Sequence, residues 1–563
     1  MAETKPPADV NYTFSEAELD QLMAYGELRA HQEGELLVSP GDHQADCLVT
    51  LSGETHIFVD SAEGKHRRGY MERGQFAGDI SVLTGQASLA WVTMGKAGEL
   101  LHIPYARLQR LLVENSQLSD AFVRTFTARR AFALSSKLGA VIVIGTPYDR
   151  SLFSIRDFLT RHSVPHTWLD PDTDPLTQPI MDAKSLASED LPAVVLSSAQ
   201  MMCRPTVNEL AESLGFDLLP DGASADVIVV GAGPAGLASA VYAGSEGLSV
   251  LALDAEGPGG QAGTSSKIEN YLGFPTGISG RELADRASVQ AQKFGVRIAA
   301  PARAESLEMT GSGEYCLRTR DGRALKAKAV VIATGAQYRR LPIERLEDFE
   351  GRGVYYGASS LEAQLCSGSR VAIVGAGNSA GQGAVYLSQT AEAVHVIYRR
   401  DNIRDTMSEY LVRRLEETPN IHLHPGSQIT ALHGKDQDGD SELRLTGATL
   451  EESGASNCLD TPFVFLFIGA APFTNWLPDT LRRDEKGFVK TGASLGNLDL
   501  VRAGWALERL PTTFETSLPR VYAVGDVRAA SVKRVASAVG EGSVVVSDVH
   551  RALNELAETQ TTD

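Results

Sequence analysis

The chain has 563 residues, 43% of them apolar, and a formal charge of −19 at neutral pH. That length predicts roughly three or four domains, each able to bury a core, and the acidic balance argues against a nucleic-acid binder, since no region is basic enough to neutralise many phosphates. No stretch approaches the ~18 apolar residues of a membrane span, the N-terminus lacks the apolar segment of a signal peptide, and the five cysteines show neither C-x-x-C nor zinc spacing, so the reading is a cytoplasmic protein with no metal site.

Cys47, Cys203, Cys316, Cys366 and Cys458 read as mostly buried small hydrophobes. From the N-terminus, Phe14–Gly26 has the spacing of a short amphipathic helix with Ser15 as its N-cap. Short alternating strands follow, broken by turn signals at SPGD, LSGE, SAEG and ERGQ, the pattern of a β-roll or sandwich. A helical stretch then runs from about Ala106 to Ser136. Residues 1–137 together resemble the cyclic-nucleotide-binding domain of the catabolite activator class, and Phe76–Val92 resembles its phosphate cassette. In such a cassette a carboxylate holds a ribose hydroxyl, backbone N–H groups cradle the phosphate, and an arginine pairs with its charge. The resemblance puts Gly78 and Asp79 in the site, with Ser88 or Leu89, depending on a one-residue alignment, where the arginine belongs. An anionic ligand thereby loses its main counter-charge. A retained fold serving for docking or dimerisation is expected ahead of nucleotide binding.

Residues 138–220 change to an α/β pattern, with strands expected at Gly139–Gly145 and Pro192–Ser198 and a closing helix in TVNELAESLGF. The order resembles a thioredoxin or glutaredoxin fold, in which a C-x-x-C opens the first helix and a cis-proline precedes the third strand. Pro192 matches that proline, while the expected thiol positions, Thr146–Arg150, hold no cysteine. Disulfide exchange needs a thiolate, so an adaptor or linker domain is the reading.

Asp226–Gly236 (DVIVVGAGPAG) then gives a short apolar strand, a glycine turn and the start of a helix. In G-x-G-x-x-G the first glycine makes the turn, the second lets a pyrophosphate approach, and the third lets helix and strand pack. The turn comprises Gly231, Gly233, Pro234, Ala235 and Gly236, and the next strand ends at Asp254, where an acidic residue should meet ribose hydroxyls. A second such module follows at GAGNSA, with Gly375, Gly377, Asn378, Ser379 and Ala380. Its second strand ends in Arg399 and Arg400, at nearly the spacing that Asp254 holds in the first module. Guanidinium groups bind a 2′-phosphate that a carboxylate would repel, so this half should prefer NADPH to NADH.

GPAG, GGQ, ENYLGFP and ATG together resemble the flavin domain of the low-molecular-weight thioredoxin reductases. That resemblance implies FAD lined by Gly260, Gln261 and Asn270, by the turn Ala333-Thr334-Gly335, and by Gly525-Asp526. Lys533, Arg534 and Val535 stand at the family's R-Q-A, and the guanidinium of Arg534 is expected to reach the flavin ring. Arg404 would be the third cation for NADPH, as in the family's R-R-x-x-x-R. The fold class is therefore multidomain: a β-roll, a thioredoxin-like α/β domain and two α/β Rossmann-like dinucleotide-binding domains. The FAD domain is expected at 221–342 and 460–563, with the NADPH domain inserted at 343–459 and hinges near Arg339–Pro342 and Leu459–Phe463.

The family also implies a homodimer and a redox C-x-x-C just before the NADPH strand. Aligning GRGV puts that motif at Gly357-Ala358-Ser359-Ser360, where there is no sulfur. The expected activity is hydride transfer from NADPH to FAD and on to an unidentified acceptor: a quinone, a one-electron carrier, oxygen or another small molecule. The alternatives are reduction of an external dithiol protein, or a non-turnover NADPH sensor regulated through the N-terminal domain.

Overall fold

Ser15 caps helix α1 (Glu16–Leu22) as the sequence predicts: its hydroxyl accepts the Glu18 amide at 3.4 Å, and Glu18 accepts the Ser15 amide at 2.8 Å. In this computed structural model residues 10–562 are described, apart from 62–63, 136–140, 198–199, 217–218, 266, 438–439 and 453. The boundary expected at 137/138 lies outside the described residues. The chain divides into two units, one of Met1–Thr146, Phe158–Leu219 and Ser288–Pro301, the other of Pro147–Asp157, Pro220–Ala287 and Ala302–Asp563.

In the first unit two four-stranded antiparallel sheets form the roll. One orders Glu27–His31, Gly98–Ile103, Cys47–Thr50 and Phe76–Ala77; the other orders Leu36–Val38, Ala90–Lys96, Glu54–Ser61 and Gly64–Met71. A short helix, α2 (Ile80–Thr84), interrupts the roll. The single helix expected beyond it is two, α3 (Tyr105–Glu114) and α4 (Ser116–Ser135), because Asn115 turns extended and its side chain caps the Leu118 amide at 3.1 Å. Phe14, Phe76, Phe122 and Phe126 are buried and pack ring against ring, with centroids 4.6–5.8 Å apart, which fastens α4 to the roll.

A third sheet in this unit orders His166–Leu169, Val141–Ile144, Ala193–Val195 and Met201–Cys203, the first pair parallel and the others antiparallel. The helices in the sequence of this region are α5 (Arg150–Arg161), which is divided between the two units, α6 (Thr177–Lys184) and α7 (Val207–Ser213). The strand order is that of the expected thioredoxin-like fold, and the Leu191–Pro192 bond is cis.

In the second unit the apolar run before the first glycine turn is β1 (Ser224–Val230), parallel to β2 (Val250–Leu253). Strands β3 (Ala304–Met309) and β4 (Tyr315–Thr319) run antiparallel and lead to β5 (Ala324–Ile332), which returns parallel to β1. Helix α8 (Pro234–Ser245) follows the turn, with Pro234 at its first position, where a missing N–H does no harm. Beyond β6 (Ala336–Tyr338) lie helix α9 (Ser360–Leu365) and a parallel sheet of β7 (Val354–Tyr355), β8 (Arg370–Val374), β9 (Ala393–Ile397), β10 (Ile421–His424) and β11 (Phe463–Leu466), ordered β7-β11-β8-β9-β10. Helix α10 (Asn378–Leu387) covers one face of that sheet, and a three-stranded meander (427–460) packs Ile429, Leu445 and Leu450 on the other.

One crossing differs from expectation. The buried run FVFL is β11, bonded between β7 and β8, so it belongs to the second dinucleotide module and not to the returning chain. The return is through β12 (Ala470–Pro472), antiparallel to β6, so the two crossings form one ribbon and Leu459–Phe463 is no crossing. The chain then adds β13 (Val521–Ala523) beside β5 and ends in the long helix α11 (Val535–Thr562). The cysteines differ as well: Cys47 and Cys366 are buried, Cys316 is intermediate, and Cys203 and Cys458 are exposed.

Phe122 is fully buried in the aromatic cluster. Phe122→Ala should therefore lower the stability of the first unit by about 3–5 kcal/mol, read as a lower urea midpoint for that unit.

Candidate active site

The first glycine turn is a close-packed cradle with one open face. Gly231 has φ +107°, and a Cβ there would stand 2.3 Å from the Ala333 carbonyl oxygen; a Cβ at Gly236 would stand 1.8 Å from that of Gly231. Neither position admits a side chain. A Cβ at Gly233, by contrast, would have only the Gly260 Cα near it, at 3.9 Å. That opening lies at the N-terminus of α8, with Ala235 buried behind it, and it suits the approach of a pyrophosphate to backbone amides.

Asp254 stands one residue past β2, where it was expected. Its carboxylate accepts the amides of Ala232 at 2.8 Å and of Glu256 and Gly257 at 3.0 Å each. Three of about four acceptor positions are thus filled by backbone, so Asp254 shapes the turn and keeps one position for a hydroxyl. Gly260 and Gln261 begin a 3-10 turn, Gly260–Thr264, and the Gln261 amide donates to the Ala336 carbonyl. Thr334 donates to the Phe473 carbonyl at 3.1 Å, which joins the Ala333-Thr334-Gly335 turn to the returning chain. Asn270 is exposed on the next loop.

At the other end of the cradle Gly525 has φ +70°, and its amide donates to Glu541 at 2.7 Å. The Asp526 carboxyl has no hydrogen-bond partner among the described residues, and burial pushes it above its ordinary value. A carboxyl left unpaired in such surroundings is suited to a hydroxyl-bearing ligand, so the residues present fit a flavin nucleotide. Arg534 is exposed at the start of α11, just before Val535, and its side chain makes no bond to the Gly525–Asp526 turn. The cation folded onto that turn is Lys533, which sequence reasoning did not single out. Its ammonium donates to the Asp526 carbonyl and, at 2.8 Å, to Ser531, and it lies 4.5 Å from the centre of the Phe488 ring. Burial holds it below the usual lysine range.

The second turn repeats the plan. Gly375 has φ +148°, and a Cβ there would meet the Phe467 carbonyl oxygen at 2.5 Å, whereas Gly377 has nothing within 4 Å. Asn378 begins α10 and accepts the Ser408 amide at 2.8 Å, Ser379 follows exposed, and Ala380 is buried. Arg399 and Arg400 lie just beyond β9, exposed and without an ion-pair partner among the described residues. Arg404 departs from its expected part: it pairs with both carboxylate oxygens of Glu416 at 2.9 Å and with Glu409 at 3.4 Å, so it is held by acids.

Gly357–Ser360 stands at the Gly260–Thr264 turn, since a Cβ on Gly357 would be 3.2 Å from that of Thr264. Ala358 is buried; Ser359 caps α9, its hydroxyl and amide both bonded to Glu362, and Ser360 is the first residue of the helix. Cys366 is fully buried at the far end of α9, where burial pushes its thiol up to about 12, which leaves it inert at neutral pH.

The cassette of the first unit is closed. Asp79 caps α2 through Ser81, at 2.8 Å to the amide and 2.6 Å to the hydroxyl, and its other oxygen accepts from Arg130 at 3.0 Å. Arg130 also donates to the Ser163 carbonyl at 2.9 Å. Ala87 gives its amide to the Leu214 carbonyl at 3.1 Å, just past α7, and Gly78 gives its carbonyl to Arg129 at 2.5 Å. Ser88 donates to the Ala90 carbonyl at 2.9 Å, and Leu89 lines a cavity of about 10 Å³ beside Asp79 and Arg130. That space holds about one water. The missing arginine has a counterpart on α4, but it is spent on Asp79.

Two dinucleotide modules, one inserted in the other, make this an NADPH-dependent flavoprotein oxidoreductase. Residues 225–542, more than half of the chain, match the family described as "Pyridine nucleotide-disulphide oxidoreductase", and the chain belongs to that family, whose thioredoxin reductases use FAD and NADPH. Residues 28–115 match the "Cyclic nucleotide-binding domain". The chain is 30% identical over 334 residues to thioredoxin reductase of Bacillus subtilis, covering 59% of this chain and 96% of that one. It is 31% identical over 322 residues to thioredoxin reductase of Treponema pallidum, covering 57% and 94%. Among solved structures, thioredoxin reductase of T. acidophilum has 28% identity and a TM-score of 0.51, and that of Lactococcus lactis (FR conformation) has 25% and 0.51; each alignment covers 59% of this chain and 99% of the other. No helix among the described residues is long and apolar enough to cross a membrane, and no group of three or more His, Cys, Asp or Glu among them is placed to hold a metal ion.

Burial works to raise the Asp79 carboxyl, but Arg130 and the two Ser81 bonds outweigh it and hold it below its ordinary value of 3.8. Its stabilising effect is present above pH 3.8 and is lost as pH falls through the lower folded value. Asp79→Asn should therefore lower the melting temperature of the first unit at pH 7, and calorimetry should show the gap to wild type closing only below pH 3.8.

Proposed function

We propose that the chain takes hydride from NADPH onto FAD and passes the electrons to a quinone, a one-electron carrier, oxygen or another small acceptor, not to a disulfide of its own. The observation that carries this reading is Gly357-Ala358-Ser359-Ser360: the segment beside the Gly260–Thr264 turn holds no sulfur, and Cys366 is sealed in the core. Serine forms neither a thiolate nor a disulfide. Bound FAD supplies the hydride-accepting ring. The rest belongs to the protein. Gly233 and the N-terminus of α8 receive the pyrophosphate, Asp254 sets the turn beside the ribose, and Asp526 takes a ribityl hydroxyl. Lys533 fixes the carbonyl of that same Asp526, so it holds the turn against the start of α11. Arg399 and Arg400, without an ion-pair partner among the described residues, take the 2′-phosphate of NADPH, with Gly377 and the N-terminus of α10 beneath the pyrophosphate. A homodimer is proposed on the family likeness.

Full-length protein should oxidise NADPH steadily with ferricyanide or a quinone. Turnover only with an added dithiol protein would support reduction of a partner instead, and binding of NADPH without turnover would support a sensor. Arg399→Ala with Arg400→Ala should raise the KM for NADPH by roughly tenfold or more, since each charge-assisted bond is worth about 1.5–3 kcal/mol, and leave that for NADH nearly unchanged; paired steady-state assays read the difference. Gly236→Val should give colourless protein, because its side chain would enter the Gly231 carbonyl; the flavin absorbance of purified protein reads this.

A further inference from the structure

The segment Pro147–Asp157 belongs to the unit that contains both dinucleotide modules. It begins at the position where a thioredoxin-like fold presents its thiols, and it has none. Tyr148, Phe153 and Arg156 are seated against that unit, and Arg150, exposed, lies along it. The Arg444 guanidinium lies 4.0 Å from the centre of the Tyr148 ring. Arg150 passes over Gly351, where a Cβ would lie 3.4 Å from its Cγ. Phe153 lies tilted against the Tyr355 ring, centroids 5.1 Å apart, and packs, partly buried, against a core that contains Tyr355, Ala358 and Cys366. Arg156 is only 4% exposed and donates to the Gln364 side chain at 3.2 Å.

Tyr355 and Gln364 bracket Gly357–Ser360 on either side in sequence. The segment that begins at one position where the family resemblances place redox thiols thus packs on residues that flank the other, and both positions are without sulfur. A transient docking face is rimmed by solvated polar groups, whereas here an aromatic ring packs against the core and a guanidinium is buried. Lifting the segment would expose Phe153 and Tyr355 and leave the buried polar groups to find new partners.

We propose that residues 147–157 are a permanent internal occupant of the surface around α9. A partner protein would have to use that surface to reach Gly357–Ser360, so protein disulfides are excluded there and the acceptor is a small molecule that reaches the flavin by another route. This rests on the flavin-to-small-acceptor reading above.

The test pairs Arg150→Cys with Gly351→Cys in the full-length holoenzyme, with each single variant as control. Mild oxidation should cross-link the pair, and the cross-linked enzyme should keep NADPH–ferricyanide turnover within about twofold of its reduced form. A tenfold loss, reversed by a phosphine reductant, would mean that the segment must leave during turnover and would overturn the proposal; so would failure of the folded protein to cross-link. Because glycine at 351 has φ +77°, hydrogen exchange on the wild-type sequence provides a second readout. Exchange across residues 354–366 should be unchanged by excess thioredoxin with NADPH, and should rise in Phe153→Asp. New protection from thioredoxin would overturn the proposal. If wild type oxidises no NADPH with any small acceptor, the acceptor reading fails, while cross-linking and exchange still decide the seat.

Discussion

The second unit depends on backbone meeting backbone at two glycines. Gly236 brings α8 so near the turn that a single methyl there would sit 1.8 Å from the Gly231 carbonyl oxygen. Gly542 does the same between α8 and the last helix, α11, where a Cβ would stand 2.1 Å from the Ala235 carbonyl oxygen. The helix that opens the first module and the helix that ends the chain are therefore joined at closest approach, although the whole second module lies between them in sequence. The insertion is tolerated because it leaves and returns through one narrow ribbon, β6 with β12. With α8 held on both sides, the open face at Gly233 is a fixed feature and not an accident of loop conformation.

Much of this was legible because its causes are local. A glycine turn between an apolar strand and a helix is written in consecutive residues, and so are Asp254 and the Arg399–Arg400 pair that end the two second strands. Where partners are distant in sequence, the reading fell short. FVFL has the same apolar signature whether it returns to the first sheet or completes the second, and only its hydrogen bonds to Val371–Val374 and Val354 decide. Arg404 looked like a free cation because Glu416 is a helix away. Arg130 is 51 residues from Asp79, so no cassette spacing could reveal the pair that closes the pocket. Lys533 and Arg534 are neighbouring cations in sequence, and only the fold shows that it is Lys533 that turns back onto Asp526.

Three modules here keep a fold while the groups that would perform its usual chemistry are altered. The cassette carboxylate is neutralised from within by Arg130. The thioredoxin-like region has threonine, proline, tyrosine and aspartate where thiols would stand, and α9 begins with a capping serine. The dinucleotide cradles, by contrast, keep their open glycines and, among the described residues, an Asp526 carboxyl without a hydrogen-bond partner and two arginines without an ion-pair partner. The features that remain open are those that suit the reduction of a flavin by NADPH; those that would carry electrons onward through sulfur are absent or filled.

The number of electrons that the protein can store tests this most directly. In an anaerobic titration followed by flavin absorbance, the purified holoenzyme should be fully reduced by about one equivalent of NADPH per flavin if, as proposed, no second two-electron centre accompanies the flavin. Uptake of about two equivalents would demand a redox disulfide in communication with the flavin, and would contradict the proposal that Gly357–Ser360 has left this enzyme without one.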